Sequence, residues 1–484
     1  MAMYSETIPL HAIMICYPLQ GHINPFTNLA IKLASKGFTI TFVHTQHVHQ
    51  LITKAQPEET IDDEVDIFSE ARKSGLDIKY ITISDGLPLE FDRDLNFIQY
   101  MESLIYDFPS VVDEFVGNLI DSDHSRSSTF LIADTFHSWP VRVSRKYNLV
   151  NVSFWTQPAL VFTLYNHLDL LKENGHIPFR GDPEEIISCV PGVKLMKMKD
   201  FMSFFLDSDL STIVHKIFFQ AFEDVKKADL ILYNTVEEFE HEILSALSQK
   251  QPGFAIGPLC ATVLTNNRVS RSLWSESDCS HWLASMNPGS VLYVSFGSLA
   301  QLDEHVFVEI AQGLLLSKMN FLWALRPGIV KSENDLKSEC AKLSDDSEGR
   351  GLIVPWCPQN DVLSHHAIGG FLTHCGWNSI LESIWWRVPM ICYPLLGDQL
   401  TNRKLVVDDW KIGINLSDGE IVSREEVAEK VKRLMSEKSS DGLRKEVQQV
   451  KKILDDAIAQ KGSSQENIKS FVRELKAEMH KPWQ

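Results

Sequence analysis

"GGFLTHCGWNSILES", residues 369–383, is the stretch whose reading decides the fold. Apolar residues in a strand-like run stop at a glycine, and a helical apolar pattern begins at Asn378. Strand, tight turn and helix N-terminus in that order form the repeating unit of a parallel sheet with crossover helices. The unit recurs in both directions along the chain. In the first half, apolar runs predict strands near 11–18, 38–43, 78–83, 129–133, 150–154 and 229–235. Near 254–274 the pattern breaks into small and polar residues. A second series then begins: "SVLYVSFGS" ending at Ser298, "FLWALRP", "GLIVPWCP", the opening stretch itself and "PMICYPL". The expectation is an α/β protein of two doubly wound domains, 1–255 and 276–460, joined by a linker at 256–275. Residues 330–350, charged and poor in apolar side chains, read as a solvated loop. Capping boxes are expected at Ser423 to Glu426 and at Ser463 to Glu466.

Composition narrows the function. At 484 residues the chain exceeds one ordinary core, and 44% hydrophobic with 23% charged residues is a globular balance. The formal net charge of −18 argues against nucleic-acid or anionic-membrane partners, because a surface of the same sign neutralises neither phosphate nor lipid. No apolar run reaches the roughly 18 residues a bilayer span needs. The first residues, "MAMYSETIPLHAIMICYPLQGHINP", lack a basic segment ahead of their short apolar stretch and read as a first strand, not a signal peptide. The expected compartment is the cytosol. Eight cysteines at irregular spacing fit buried thiols there, and the sequons at Asn151 and Asn415 are expected to carry no glycan. Nothing demands more than a monomer.

In open α/β sheets, ligands bind beyond the carboxyl ends of the strands. His374 closes one predicted strand, Gly297 and Ser298 close another, His22 follows the first and Asp134 follows "TFLIA". A helix starting at Asn378 offers free N–H groups and a positive dipole end to an anion, and a turn glycine lets the backbone approach it. Phosphate is the natural occupant. His374, Asn378 and Ser379 add donors, and Glu382 can accept from hydroxyls such as those of ribose. Each piece has a plainer use: an Asn-Ser pair also makes an ordinary N-cap. Neither GxGxxG nor GxxxxGK[ST] is present to name the nucleotide.

The segment Trp356 to Gln399, "WCPQNDVLSHHAIGGFLTHCGWNSILESIWWRVPMICYPLLGDQ", closely resembles the signature of plant family 1 UDP-dependent glycosyltransferases. "QGHINP" at 20–25 and "VSFGS" at 294–298 resemble two further motifs of that family, in the right order, so the resemblance spans essentially the whole chain. It implies a GT-B architecture of two facing Rossmann-like domains. The acceptor would lie mainly on 1–255 and the UDP-sugar mainly on 276–460, with 461–484 a helix crossing back to the first domain. It implies UDP-glucose as co-substrate, with no other cofactor and no metal.

By the same resemblance Trp356 would stack on uracil, Gln359 would lie near base and ribose, and Glu382 would hold the ribose. Ser298, His374, Asn378 and Ser379 would hold the diphosphate. Trp377, Asp398 and Gln399 would border the sugar, Gln399 being the family's mark of glucose over galactose. His22 would be the catalytic base and Asp134 its partner; Thr156 would lie near the sugar and Gln20 would shape the acceptor side. The physical case for His22 is that an alcohol is a poor nucleophile until a positioned base takes its proton, and a carboxylate on the far ring nitrogen fixes the tautomer. Trp385 and Trp386 depart from the small residues common in the family and are expected to affect packing behind the cradle.

The histidines His44, His47, His49 and His365, His366, His374 fit no metal-ligand spacing. The resulting expectation is an inverting hexosyltransferase that makes a β-glucoside of a small hydrophobic plant metabolite. The alternative is a catalytically silent protein that binds a nucleotide sugar or a small molecule. A nicotinamide-dependent dehydrogenase lacks its glycine fingerprint. The acceptor pocket is expected from the segments 84–110 and 160–215, whose apolar content predicts a greasy cavity without naming its guest.

Overall fold

The computed structural model describes residues 9–56, 66–122, 128–207, 209–262, 272–330, 343, 345–417, 419 and 421–481. Its strands are β1 (His11–Ile15), β2 (Thr39–Thr45), β3 (Ile78–Ile83), β4 (Thr129–Asp134), β5 (Val150–Trp155), β6 (Ile186–Ile187), β7 (Met196–Lys197), β8 (Leu230–Tyr233), β9 (Gly253–Ala255), β10 (Val291–Ser295), β11 (Asn320–Ala324), β12 (Gly351–Val354), β13 (Ile368–Thr373), β14 (Met390–Cys392) and β15 (Gly413–Asn415). Among the described residues, one seven-stranded sheet has the order β3-β2-β1-β4-β5-β8-β9 and a six-stranded sheet the order β12-β11-β10-β13-β14-β15. Pairing is parallel throughout both. Most of the strands are buried at nearly every position, as parallel strands covered by helices on both faces must be.

Each sheet reverses its strand order once, between β1 and β4 in the first and between β10 and β13 in the second. At such a switch point neighbouring loops diverge and leave a crevice for a ligand. Register sharpens the placement. Ile15 pairs with Ala133, so the turn leading into the helix that carries His22 and the strand end carrying Asp134 emerge side by side. Ser295 pairs with Thr373, which does the same for Ser298 and His374.

Four short strands escaped the sequence reading, among them the two-residue pair β6 and β7. β9 lies where the pattern was read as breaking, and β15 offers only three residues. The helix after β13 runs Trp377–Trp385 with Gly376 at its N-cap, one residue earlier than expected. Ser423 caps its helix as expected, accepting from Glu426 N. Ser463 does not cap: Gly462 holds that position, and the Ser463 hydroxyl instead donates to Glu238 Oε2 at 2.9 Å. Of the expected loop at 330–350, residues 331–342 and 344 lie outside the described residues. At that end Asp345, Asp346, Glu348 and Gly349 are exposed, as a solvated loop requires, while Leu343 and Ser347 are buried. The linker stretch 263–271 is likewise outside them. Asn151 is buried in β5, inaccessible to a glycan.

The final helix, Ser463–Met479, packs Ile468, Phe471 and Leu475 into the core of the first sheet. The helix before it, Glu437–Ile458, lies against Trp377–Trp385 of the second.

Candidate active site

The carboxyl ends of the two sheets face each other across a cavity of about 2020 Å³. On the first sheet's side, His22 sits in the opening turn of the helix Gln20–Ala34 and Asp134 is the last residue of β4, both buried. His22 Nδ1 and Asp134 Oδ2 are 2.7 Å apart. The other carboxylate oxygen accepts from Phe136 N at 2.9 Å, which fixes the aspartate. An ionised carboxylate only accepts, so the imidazole carries its proton on Nδ1 and presents the Nε2 lone pair to the cavity. Tyr17 and Phe136 flank the ring at centroid distances of 5.6 and 4.8 Å and limit its rotation. Thr156 Oγ1 stands 3.4 Å from the same Nδ1, so all three sequence-selected residues converge.

Pro25 in this helix has no N–H to donate to Gly21, four residues earlier, so that carbonyl is left over. Asn378 Nδ2, from the opposite sheet's helix, donates to Gly21 O at 2.7 Å. A proline in one half thus creates the acceptor that the other half uses. Gln20 lines the cavity and also ties the helix start to the linker: its Oε1 accepts from Leu273 N at 2.9 Å and its Nε2 donates to Asn24 at 2.7 Å.

On the second sheet's side, Ser298 and His374 meet at the switch point. Gly297 (φ +73°) and Gly376 crowd the imidazole of His374. A Cβ on Gly297 would sit 2.4 Å, and one on Gly376 2.5 Å, from its Nε2, so neither position admits a side chain. Burial pushes His374 down to about 4, so it is a neutral donor near neutral pH. With Asn378 and Ser379 in the first turn of the helix, the arrangement has the neutral polar groups that an anion cradle would use. Beside it, Gln359 Nε2 donates to Ser379 Oγ at 3.0 Å and to Glu382 Oε2 at 2.7 Å, joining three expected nucleotide ligands in one network. Trp356 lines the cavity and packs at 4.7 Å and 32° against Trp274, an aromatic the sequence reading passed over in the linker.

Asp398 and Gln399 start the helix Gln399–Lys404 at the cavity wall. Asp398 Oδ2 accepts from Asn402 Nδ2 at 2.7 Å, and burial lifts its pKa to about 6. Gln399 Oε1 accepts from Leu395 N and Leu396 N at 2.8 and 2.9 Å, which turns its amide nitrogen outward as a donor. Trp377 lines the cavity, but its indole N–H is committed to Asn234 O at 2.8 Å. Trp385 packs under Lys451 Nζ at 3.9 Å and does not line the cavity, whereas Trp386 lines it and donates to Asn360 Oδ1 at 3.3 Å.

Arg326 was missed as well. It follows β11, donates to Gly297 O at 3.3 Å and to Ala300 O, and so staples the loop that carries Ser298. Its place just past a strand end was the available signal. The wall also carries apolar side chains, Phe97, Met101, Phe136, Tyr165, Phe204 and Phe218, mostly from the segments 84–110 and 160–215, beside polar ones such as Asn24, Asp94 and Glu276. Among the described residues no group of His, Cys, Asp or Glu is placed to hold a metal, and no helix is long and apolar enough to cross a membrane.

A family model described as "UDP-glucoronosyl and UDP-glucosyl transferase" matches residues 199–456. UDP-glycosyltransferase 86A1 of Arabidopsis thaliana is 52% identical over 471 residues, covering 96% of this chain and 94% of that protein. The chain belongs to the plant family 1 UDP-glycosyltransferases. The (R)-mandelonitrile beta-glucosyltransferase of Prunus dulcis is 34% identical over 483 residues, 96% of this chain and 97% of that one. In three dimensions the crystal structure of Os79 from O. sativa in complex with UDP matches with a TM-score of 0.79 at 25% identity, over 96% of this chain and 100% of the other. This UDP-glycosyltransferase therefore has the GT-B fold and takes a UDP-sugar as co-substrate.

Proposed function

We propose that this enzyme is an inverting UDP-glucose-dependent glucosyltransferase that adds a β-glucosyl group to a hydroxyl of a small hydrophobic plant metabolite, phenolic, flavonoid or terpenoid. In this reading it works as a cytosolic monomer. Residues 1–255 bind the acceptor and 276–460 the donor. The observation that carries the reading is the 2.7 Å pair of His22 and Asp134 opening onto the same cavity as the anion cradle. The glucosyltransferase relative named above supports glucose as the sugar and β as the linkage.

His22 Nε2 takes the acceptor's proton while its oxygen attacks the anomeric carbon on the face opposite UDP. The bond from that carbon to the phosphate oxygen breaks, and an α-linked donor gives a β-glucoside. Asp134 holds the imidazole and stabilises the imidazolium as it forms. Ser298, His374, Asn378 and Ser379 hold the diphosphate and receive the charge that develops on departing UDP, with no reorganisation at the moment of reaction. For this, Asn378 exchanges Gly21 O for phosphate. Trp356 stacks on uracil, Gln359 and Glu382 hold the ribose, and Asp398, Gln399, Trp377 and Thr156 border the sugar.

The test is a UDP-release assay with several UDP-sugars and a panel of phenolic and terpenoid alcohols, with products identified by mass spectrometry. Hexose is expected only from UDP-glucose. His22→Ala is expected to lower transfer by about 10²- to 10⁴-fold with UDP affinity retained. Undiminished transfer by that variant would remove His22 from the chemistry.

A further inference from the structure

The loop that presents Asp398 and Gln399 is held from the opposite half of the molecule. Ser203 N donates to Gly397 O at 2.9 Å, and Gly397 N donates back to Ser203 Oγ at 2.7 Å. Close by, Thr401 Oγ1 donates to Asp200 O at 2.8 Å, and the Arg403 guanidinium pairs with the Asp200 carboxylate, with side chains only 13% and 5% exposed. The segment 200–203 belongs to the half built on the first sheet; Gly397, Thr401 and Arg403 belong to the other.

The loop has its own internal fastenings. Gln399 Oε1 closes the turn at Leu395 and Leu396, and Asn402 bonds both Asp398 and Cys375 O. These fix its shape. The paired bonds at Ser203 fix where it stands relative to the acceptor-side wall. Gly397, at φ +68°, is the residue immediately before Asp398, so its peptide orientation sets the direction in which the Asp398 side chain leaves the backbone. Phe204, next to Ser203, lines the cavity. Its Cε2 lies 3.3 Å from where a Cβ on Gly397 would be, and its ring packs at 5.3 Å from that of Phe218. One short segment therefore touches the acceptor wall with one residue and the sugar loop with its neighbour.

We propose that Ser203 is a positioning residue for donor recognition: from the acceptor-binding half, it sets the placement of Asp398 and Gln399 against the sugar of the UDP-sugar. The proposal rests on the reading of Asp398 and Gln399 as sugar ligands given above. UDP alone is held by Trp356, Gln359, Glu382 and the cradle, all on elements of the second sheet, so the Ser203 contacts bear on the sugar and not on the nucleotide. Loss of the hydroxyl leaves Gly397 N without its acceptor and frees the loop to shift.

The experiment uses the full chain with Ser203→Ala, Ser203→Thr and Asp398→Asn. UDP and UDP-glucose affinities are measured by calorimetry, and KM and kcat by initial rates. Ser203→Ala is expected to weaken UDP-glucose by about fivefold, the equivalent of one ordinary hydrogen bond, with UDP affinity unchanged, and Ser203→Thr to restore it. Equal weakening of UDP and UDP-glucose, or no change in either, would overturn the proposal. Asp398→Asn separates the two layers. If it weakens UDP-glucose selectively while Ser203→Ala does not, only the positioning role fails. If neither variant distinguishes UDP-glucose from UDP, the assignment of this loop to the sugar fails with it.

Discussion

At the scale of single residues, the site is built from side chains whose ordinary solution chemistry has been changed by burial. His374 is pushed down to about 4 and Asp398 up to about 6, both chiefly because burial penalises the charged form. For Asp398 the sign is definite. Its folded pKa exceeds that of an exposed carboxylate, so the unliganded fold gains stability from the protonated form below the unfolded pKa. That stability is lost as pH rises through about 6. In the proposed function sugar hydroxyls donate to this carboxylate and favour the anion, so donor binding runs the other way. UDP-glucose affinity is expected to fall by roughly threefold to tenfold from about pH 7 to about pH 5, and Asp398→Asn to bind more weakly but with a flatter profile. Calorimetric titration of UDP-glucose across that range checks both; an unchanged slope in the variant would mean that another group titrates. At this scale the sequence was most readable where chemistry is local. The donors around Asn378 are packed into a few residues of one turn, whereas Arg326, Trp274 and Ser203 act through partners a long way off in sequence, which no local pattern shows.

At the scale of elements, long apolar runs made the strands of both sheets legible because parallel strands buried on both faces must be apolar along their length. The failures were short or depended on tertiary partners. β9 and β15 have three residues each, too few for periodicity to register. Ser463 has the letters of a cap but prefers a carboxylate on another helix. The acceptor-side segment 84–110 shows a further device invisible in the sequence. Arg93 and Asp85, with side chains 2% and 1% exposed, form a bidentate pair at 2.7 and 2.8 Å. The pair anchors the loop entering the helix Phe97–Tyr106, which gives Phe97 and Met101 to the cavity wall. Arg93→Met strands a buried carboxylate and is expected to cost about 3–5 kcal/mol of stability, raise the acceptor KM and leave UDP affinity unchanged. Adding Asp85→Leu removes the stranded charge and is expected to recover much of the loss. Thermal melting of wild type, single and double variants tests this. A single variant as stable as wild type would show that the pair contributes nothing.

At the scale of the whole molecule, the two sheets must hold their carboxyl ends at a fixed separation, since His22 and His374 stand on opposite sides of one cavity, and one buried apolar cluster runs through both halves, from Trp155 and Tyr233 to Trp377 and Ile380. Among the described residues, polar ties across the cleft include Asn378 to Gly21, Trp377 to Asn234 and the Ser203 cluster, and apolar packing adds to them, with Phe239 and Trp410 at 4.7 Å. The covalent ties are the linker and the last two helices. Glu437–Ile458 packs on the second half and Ser463–Met479 on the first, so the chain ends by strapping the halves together. The strap is anchored by apolar burial, with Ile468, Phe471 and Leu475 at 4%, 1% and 0% exposure, and by Asn467 Nδ2 donating to Ala255 O at 3.0 Å. Phe471 also meets Phe254 at 6.0 Å, against the edge strand β9. Phe471→Ala leaves a cavity beneath this edge and is expected to cost about 3–5 kcal/mol. Because the anchor lies on the first sheet's side, the first half should melt earlier while UDP, bound to the second in the proposed function, stays bound. Calorimetric melting with and without UDP resolves the two. Wild type is expected to unfold in one transition, and the variant to split into an early transition insensitive to UDP and a later one raised by it. A single transition in the variant, still shifted by UDP, would show that the halves stay coupled through the cleft contacts and that the C-terminal strap is dispensable for their union.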